Sequence, residues 1–99
     1  KKTPSQVISK NLFKIREEIK LEDFKILKRL VESSPNYINY SELLDVFPEN
    51  YSYESKKKKT RQSILYLEEY LVQKIKLKLP VFEFQRNIED RREKQIRIK

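Results

Sequence analysis

Lys56, Lys57, Lys58 and Lys59 run consecutively, and Arg61 and Gln62 follow within a turn of them. Lysine ammonium groups attract phosphate as point charges. Arginine and glutamine can each set two parallel hydrogen bonds on the edge of a flat polar ring. The same stretch, "ESKKKKTRQSILYLEEYL", carries Thr60, Ile64, Leu67 and Leu71, continued by Ile75, at intervals of 4, 3, 4 and 4. At about 100° per residue these five fall within one narrow arc, with Lys58, Lys59, Gln62, Tyr66 and Glu69 opposite it or on its flank. Arg61 falls at the edge of the buried arc. Lys56 and Lys57 would point at the core if they were helical, so they are expected in the approach to the helix or its frayed first turn.

The chain has 99 residues and contains no His, Cys or Gly. Nucleophilic triads of the common kind, the usual transition-metal sites and glycine-rich phosphate loops are thereby excluded. Only carboxylate and lysine chemistry remains, so neither an enzyme nor a cofactor is expected. The net charge is +8, and its distribution is uneven. Residues 1–49 hold 9 basic and 8 acidic side chains, and residues 50–99 hold 14 and 7. A basic half favours a polyanionic partner, because neutralised phosphates release their counterions. A lysine-rich solvated surface fits the composition equally well. No apolar run approaches the roughly 20 residues of a membrane span, and the expected location is cytoplasmic.

The length suits one domain. Residues 1–6 read as a linker or tail and 7–99 as that domain, in an excerpt of a longer protein. The segment "VISKNLFKIREEIKL" fits short strands or an irregular helix, and a short strand ending near Leu21 is preferred. Phe24, Leu27, Leu30 and Val31 then predict a first helix over Glu22 to Glu32, with acids at its start and Ser33, Ser34 and Pro35 at its end. Asn39 followed by Glu42 is a capping-box spacing, which predicts a second helix over Tyr40 to Phe47, stopped by Pro48, with a short strand at Ile38 before it. A third, long helix is expected over Ser55 to Lys76. From Leu77 the period becomes two, through Val81, Phe82 and Phe84 and again at Ile96 and Ile98, which predicts a β-hairpin.

Helix, short helix, long basic helix and hairpin, in that order, make an α+β domain that resembles the winged helix-turn-helix. The stretch "IKLEDFKILKRLVESSPNYINYSELLDVF" is similar to the effector domain of OmpR/PhoB-type response regulators. Leu21, Phe24, Leu27, Leu30, Pro35, Ile38, Ser41, Glu42, Leu43, Leu44 and Phe47 carry the likeness, and Thr60, Ile64, Leu67 and Leu71 are similar to apolar positions of its recognition helix. Two departures stand beside it: only about 20 residues precede the first helix where the family has an antiparallel sheet, and the family's glycine-bearing wing end is missing. The resemblance implies a three-helix core, a hairpin wing, a short N-terminal strand and binding of double-stranded DNA by a transcriptional regulator. It does not extend to control by phosphorylation.

On that resemblance the third helix enters the major groove with Arg61 and Gln62 on base edges. Lys58 and Lys59 reach bases or phosphates, Lys56 and Lys57 anchor phosphates, and Tyr66 meets a phosphate or a thymine methyl. Arg86, Arg91 and Arg92 act from the wing. Double-stranded DNA is the expected partner, with a homodimer on DNA as one arrangement and no membrane or small-molecule ligand. Two rival functions stay open: a protein-association module built on the surface tyrosines and phenylalanines, and RNA binding.

Overall fold

Leu21–Ser33 forms the helix that organises the others. Glu22 and Asp23 meet the positive end of its dipole, and the Ser34 N–H closes it on the Leu30 and Val31 carbonyls. This computed structural model describes residues 3–90 and 92–99. In chain order the elements are α1 (Pro4–Lys10), α2 (Leu12–Glu18), α3 (Leu21–Ser33), β1 (Ile38–Asn39), α4 (Tyr40–Leu44), α5 (Tyr53–Lys74), β2 (Phe82–Arg86) and β3 (Lys94–Ile98). The buried stripe of α3 is Asp23, Ile26, Leu27 and Leu30. Phe24 and Val31, expected at its centre, lie half-buried on its flank.

The N-terminal region differs most from expectation. No strand forms near Leu21; two short helices, α1 and α2, occupy the segment instead. Pro4 to Gln6, expected in a tail, make the first turn of α1, where the Thr3 hydroxyl accepts from the Gln6 N–H and the Gln6 side chain accepts from the Thr3 N–H. Asn11 ends α1 and begins α2, and its side-chain amide donates to the Val7 carbonyl at 2.7 Å. Ile8 and Ile15 are thereby driven fully into the core.

Helix α4 ends at Leu44, sooner than expected. Val46 and Phe47 donate to carbonyls three residues back instead, because the ring of Pro48 disfavours helical backbone at the residue before it. Glu42 does reach back to the Asn39 N–H, at 3.2 Å. Arg29 on α3 donates to the Glu42 carbonyl and ties the two helices together. Helix α5 starts two residues earlier than expected because Ser52 is its cap, accepting from the Ser55 N–H at 3.2 Å.

The three strands form one antiparallel sheet in the order β1-β3-β2. Ile38 stands opposite Ile96, Phe82 opposite Ile98, Phe84 opposite Ile96, and Arg86 opposite Lys94. Since strand side chains alternate between faces, all of these lie on one face of the sheet. Phe82, Ile96 and Ile98 are buried there against the helices, in a single cluster with Leu27, Leu30, Leu43, Leu67 and Leu71. The other face carries Glu83 and Arg97, joined at 2.8 Å, with the Arg97 guanidinium 4.7 Å from the Tyr37 ring centre. No helix among the described residues is long and apolar enough to cross a membrane.

Candidate nucleic-acid interface

Thr60, Ile64, Leu67 and Leu71 are buried as their spacing predicts, and Ile75 packs beside them. That seam fixes the rotation of α5 about its axis, and so decides what the opposite side presents. Lys58, Arg61, Gln62 and Leu65 form one exposed stripe, and Lys59, Gln62 and Tyr66 form the next. Gln62 belongs to both and stands on the crest between two hollows.

The first hollow is an open groove of about 520 Å³ between α5, α4 and the hairpin. Lys57, Lys58, Arg61, Gln62 and Leu65 line its α5 wall, and Arg92 and Lys94 line its hairpin wall. Tyr40 and Ser41 enter from α4, and Glu54 and Glu93 also border it. The second hollow, about 470 Å³, lies between α5 and the α2–α3 corner, with Lys59 and Tyr66 facing Glu18, Glu22 and Asp23.

The hairpin is held against α4 by polar contacts. Glu93 Oε1 accepts from the Ser41 N–H at 3.0 Å, satisfying one of the unpaired donors at the start of α4. Asn39 Oδ1 accepts from Gln95 Nε2 at 2.9 Å and from Asn87 Nδ2 at 3.3 Å. At the hairpin end, Asn87 Oδ1 accepts from the Glu89 and Asp90 N–H groups, and Asp90 Oδ1 accepts from that of Arg92. Asn87 and Asp90 thus supply these side-chain caps to the turn, in a chain without glycine.

Aromatic rings, rather than carboxylates, steady several of the cations. Lys94 Nζ stands 5.9 Å from the Tyr40 ring centre and 5.4 Å from that of Phe84. Lys57 lies 5.4 Å from Tyr53, and Lys59 lies 5.1 Å from Tyr51. A ring face attracts an ammonium group without neutralising its charge, so these lysines keep their full attraction for an anion. Burial pushes the Tyr40 phenol above its ordinary range, and the positive charge of Arg61 partly offsets this.

The residues expected at the interface thus divide. Lys57, Lys58, Arg61, Gln62 and Arg92 border the groove. Lys59 and Tyr66 line the second hollow, on the other side of Gln62. Lys56 and Lys57 are both inside the helix and not in its approach, because the Ser52 cap starts α5 at Tyr53. Lys56 is half-buried as expected of a helical residue at its phase, whereas Lys57, expected to point at the core once helical, is exposed beside the Tyr53 ring. Arg86 ends β2 on the same sheet face as Lys94. Arg91 lies outside the described residues. Arg92 is exposed and approaches Asp90 Oδ1 at 3.7 Å.

Comparison with family models, with curated proteins and with solved structures finds no match for this chain. Two groove residues, Lys94 and Leu65, are not among those expected at the interface, and Tyr40 and Tyr53, which the protein-association reading names, line the groove as well. Lys94 becomes visible only once the strand register sets it opposite Arg86. Leu65 was legible as an apolar residue outside the Ile64–Leu67 arc. Among the described residues no cluster of side chains is suited to hold a metal ion.

Proposed function

We propose that this chain is a winged helix-turn-helix domain that binds double-stranded DNA as part of a transcriptional regulator. In this reading α3, α4 and α5 are the three-helix core, β2 and β3 the wing, and the first half of α5 lies in the major groove. The element order α3–β1–α4–α5–β2–β3 and the strand order β1-β3-β2 fit that architecture. One observation carries the functional part: the basic first half of α5 and two hairpin cations, Arg92 and Lys94, border the same open groove.

The dimensions are compatible. A helix with its side chains is about 10–12 Å across, and the major groove of B-DNA is about 12 Å wide. A helix seated there lays Arg61 and Gln62 towards base edges. Lys57 and Lys58 then stand with Arg92 and Lys94 on one side of Gln62, near one phosphate backbone, and Lys59 stands on the other side. A-form RNA is a poor substitute, because its major groove is too deep and narrow for a helix.

The test is a fluorescence-anisotropy titration of a labelled DNA duplex at salt concentrations between about 50 and 200 mM. If about five cations meet phosphate, the logarithm of affinity falls against the logarithm of salt with a slope of about −4 to −5. An RNA duplex of the same sequence should bind more weakly. Absence of DNA binding at the lowest salt would overturn the proposal.

A further inference from the structure

Among the cations and Gln62 on the α5 wall of the groove stands one aliphatic side chain that phosphate attraction does not explain. Leu65 is 62 % exposed. It shares a stripe with Lys58, Arg61 and Gln62, at helical offsets of seven, four and three residues. Single exposed leucines are ordinary on protein surfaces. This one, however, sits in the groove among Lys58, Arg61 and Lys94.

That company restricts what can cover it. An apolar protein surface laid on Leu65 would strip water from the surrounding cations without pairing them, which is costly. A DNA duplex supplies phosphates for those cations. In its major groove it also presents one apolar feature at the base edges, the thymine C5-methyl. Tyr66, the other apolar candidate on this side of the helix, lines the second hollow, with its ring centre 6.3 Å from that of Tyr70. Beside the rings of Tyr40 and Tyr53 and the buried Leu44, Leu65 is the exposed aliphatic side chain that lines the groove.

Gln62 sets the register. Glutamine can bond bidentately to adenine N6 and N7. Residues three apart on a helix are separated by about 4.5 Å along its axis, close to the ~3.4 Å spacing of successive bases. Resting on the duplex-binding reading, we infer that Leu65 is a specificity-determining residue that packs on a thymine methyl beside an adenine read by Gln62. The preferred duplex therefore contains adjacent A·T pairs at the centre of the contact.

The probe is the duplex that the full chain enriches from a randomised pool, resynthesised with each thymine in turn replaced by deoxyuridine, which lacks only the methyl group. The expected result is one position where loss of the methyl weakens binding about three- to fourfold, the worth of one buried methyl-sized group. Leu65→Ala should bind the thymine and deoxyuridine duplexes equally well, with an unchanged thermal melt, since the site is exposed. Gln62→Ala should relax the preference at the neighbouring pair and keep the methyl effect. The inference is overturned if no thymine is sensitive or if Leu65→Ala keeps the discrimination. If the pool yields no enriched duplex and none binds at low salt, the duplex reading itself has failed, and this inference with it.

Discussion

From Lys57 to Arg61, helix α5 turns Lys57, Lys58, Lys59 and Arg61 into solvent, and among the described residues none of these makes an ion pair. From Glu68 to Tyr70 the same helix uses its polar groups internally. Glu68 Oε2 accepts from the buried Val81 N–H at 3.0 Å, and the Tyr70 hydroxyl donates to Glu18 on α2. The second half is thus fastened to both the hairpin approach and the N-terminal helices. Glu68 and Tyr70 are satisfied within the fold, while the four cations of the first half stay exposed. A helix of 22 residues can divide this way because its buried seam, from Thr60 to Leu71, holds one face along both halves and leaves the opposite face free to differ.

The largest effect should come from the seam that joins the two halves. Leu67 is fully buried, so Leu67→Ala should cost about 3 kcal/mol of unfolding free energy in urea. The molecules that stay folded should keep their duplex affinity. Next, changing Lys58, Lys59 and Arg61 together to Ala should lower duplex affinity about a hundredfold at low salt and flatten the salt slope by up to about 2.7. The urea midpoint should hardly move, because all three side chains are exposed. A large fall in stability with intact binding would reverse the roles assigned to the two halves.

How far this division was legible in the sequence depends on the element. The α5 seam was plain, because five residues keep one phase over four turns. Its start was not: Ser52 competes with Ser55 as the cap, and that choice decides whether Lys56 and Lys57 are helical. The N-terminal helices were misread although Ile8, Leu12, Ile15 and Ile19 keep helical spacing. Asn11 interrupts the run, so each piece is only 7 residues long and resembles a short strand. Thr3-Pro4-Ser5-Gln6 was the signal to trust, since a hydroxyl cap, a proline and a glutamine at those offsets start a helix. The groove itself could not be read, because Lys94 reaches Tyr40 only through the strand register and the Glu93–Ser41 contact.

Glu68 sharpens the comparison at smaller magnitude. It lies about two turns beyond Arg61, where an acid facing DNA would repel it. Its bond to the Val81 N–H gives it a different duty. Glu68→Ala should leave duplex affinity almost unchanged and lower stability by about 1–2 kcal/mol, because a buried donor loses its partner. Amide hydrogen exchange at Val81 should accelerate in that variant. Unchanged exchange would mean that water replaces the carboxylate without loss.

Tyr70 offers the finest test. Burial, and then its hydrogen bond to Glu18, push its phenol above the ordinary tyrosine range. The unfolded chain loses this proton near the ordinary value of about 10, whereas the folded chain holds it to higher pH. The contribution is therefore whole below about pH 10 and declines as pH rises through that value towards the folded one. Tyr70→Phe should cost about 1 kcal/mol at neutral pH. The gap to the parent protein should then narrow in urea titrations at pH 10 and 11, although Tyr40, also raised by burial, keeps some alkaline decline in both proteins. Duplex affinity at neutral pH should not change, because Tyr70 faces α2 rather than the groove. If Tyr70→Phe weakened DNA binding as much as stability, the two halves of α5 would act as one element, and the distinction between a fastened half and a reading half would fall.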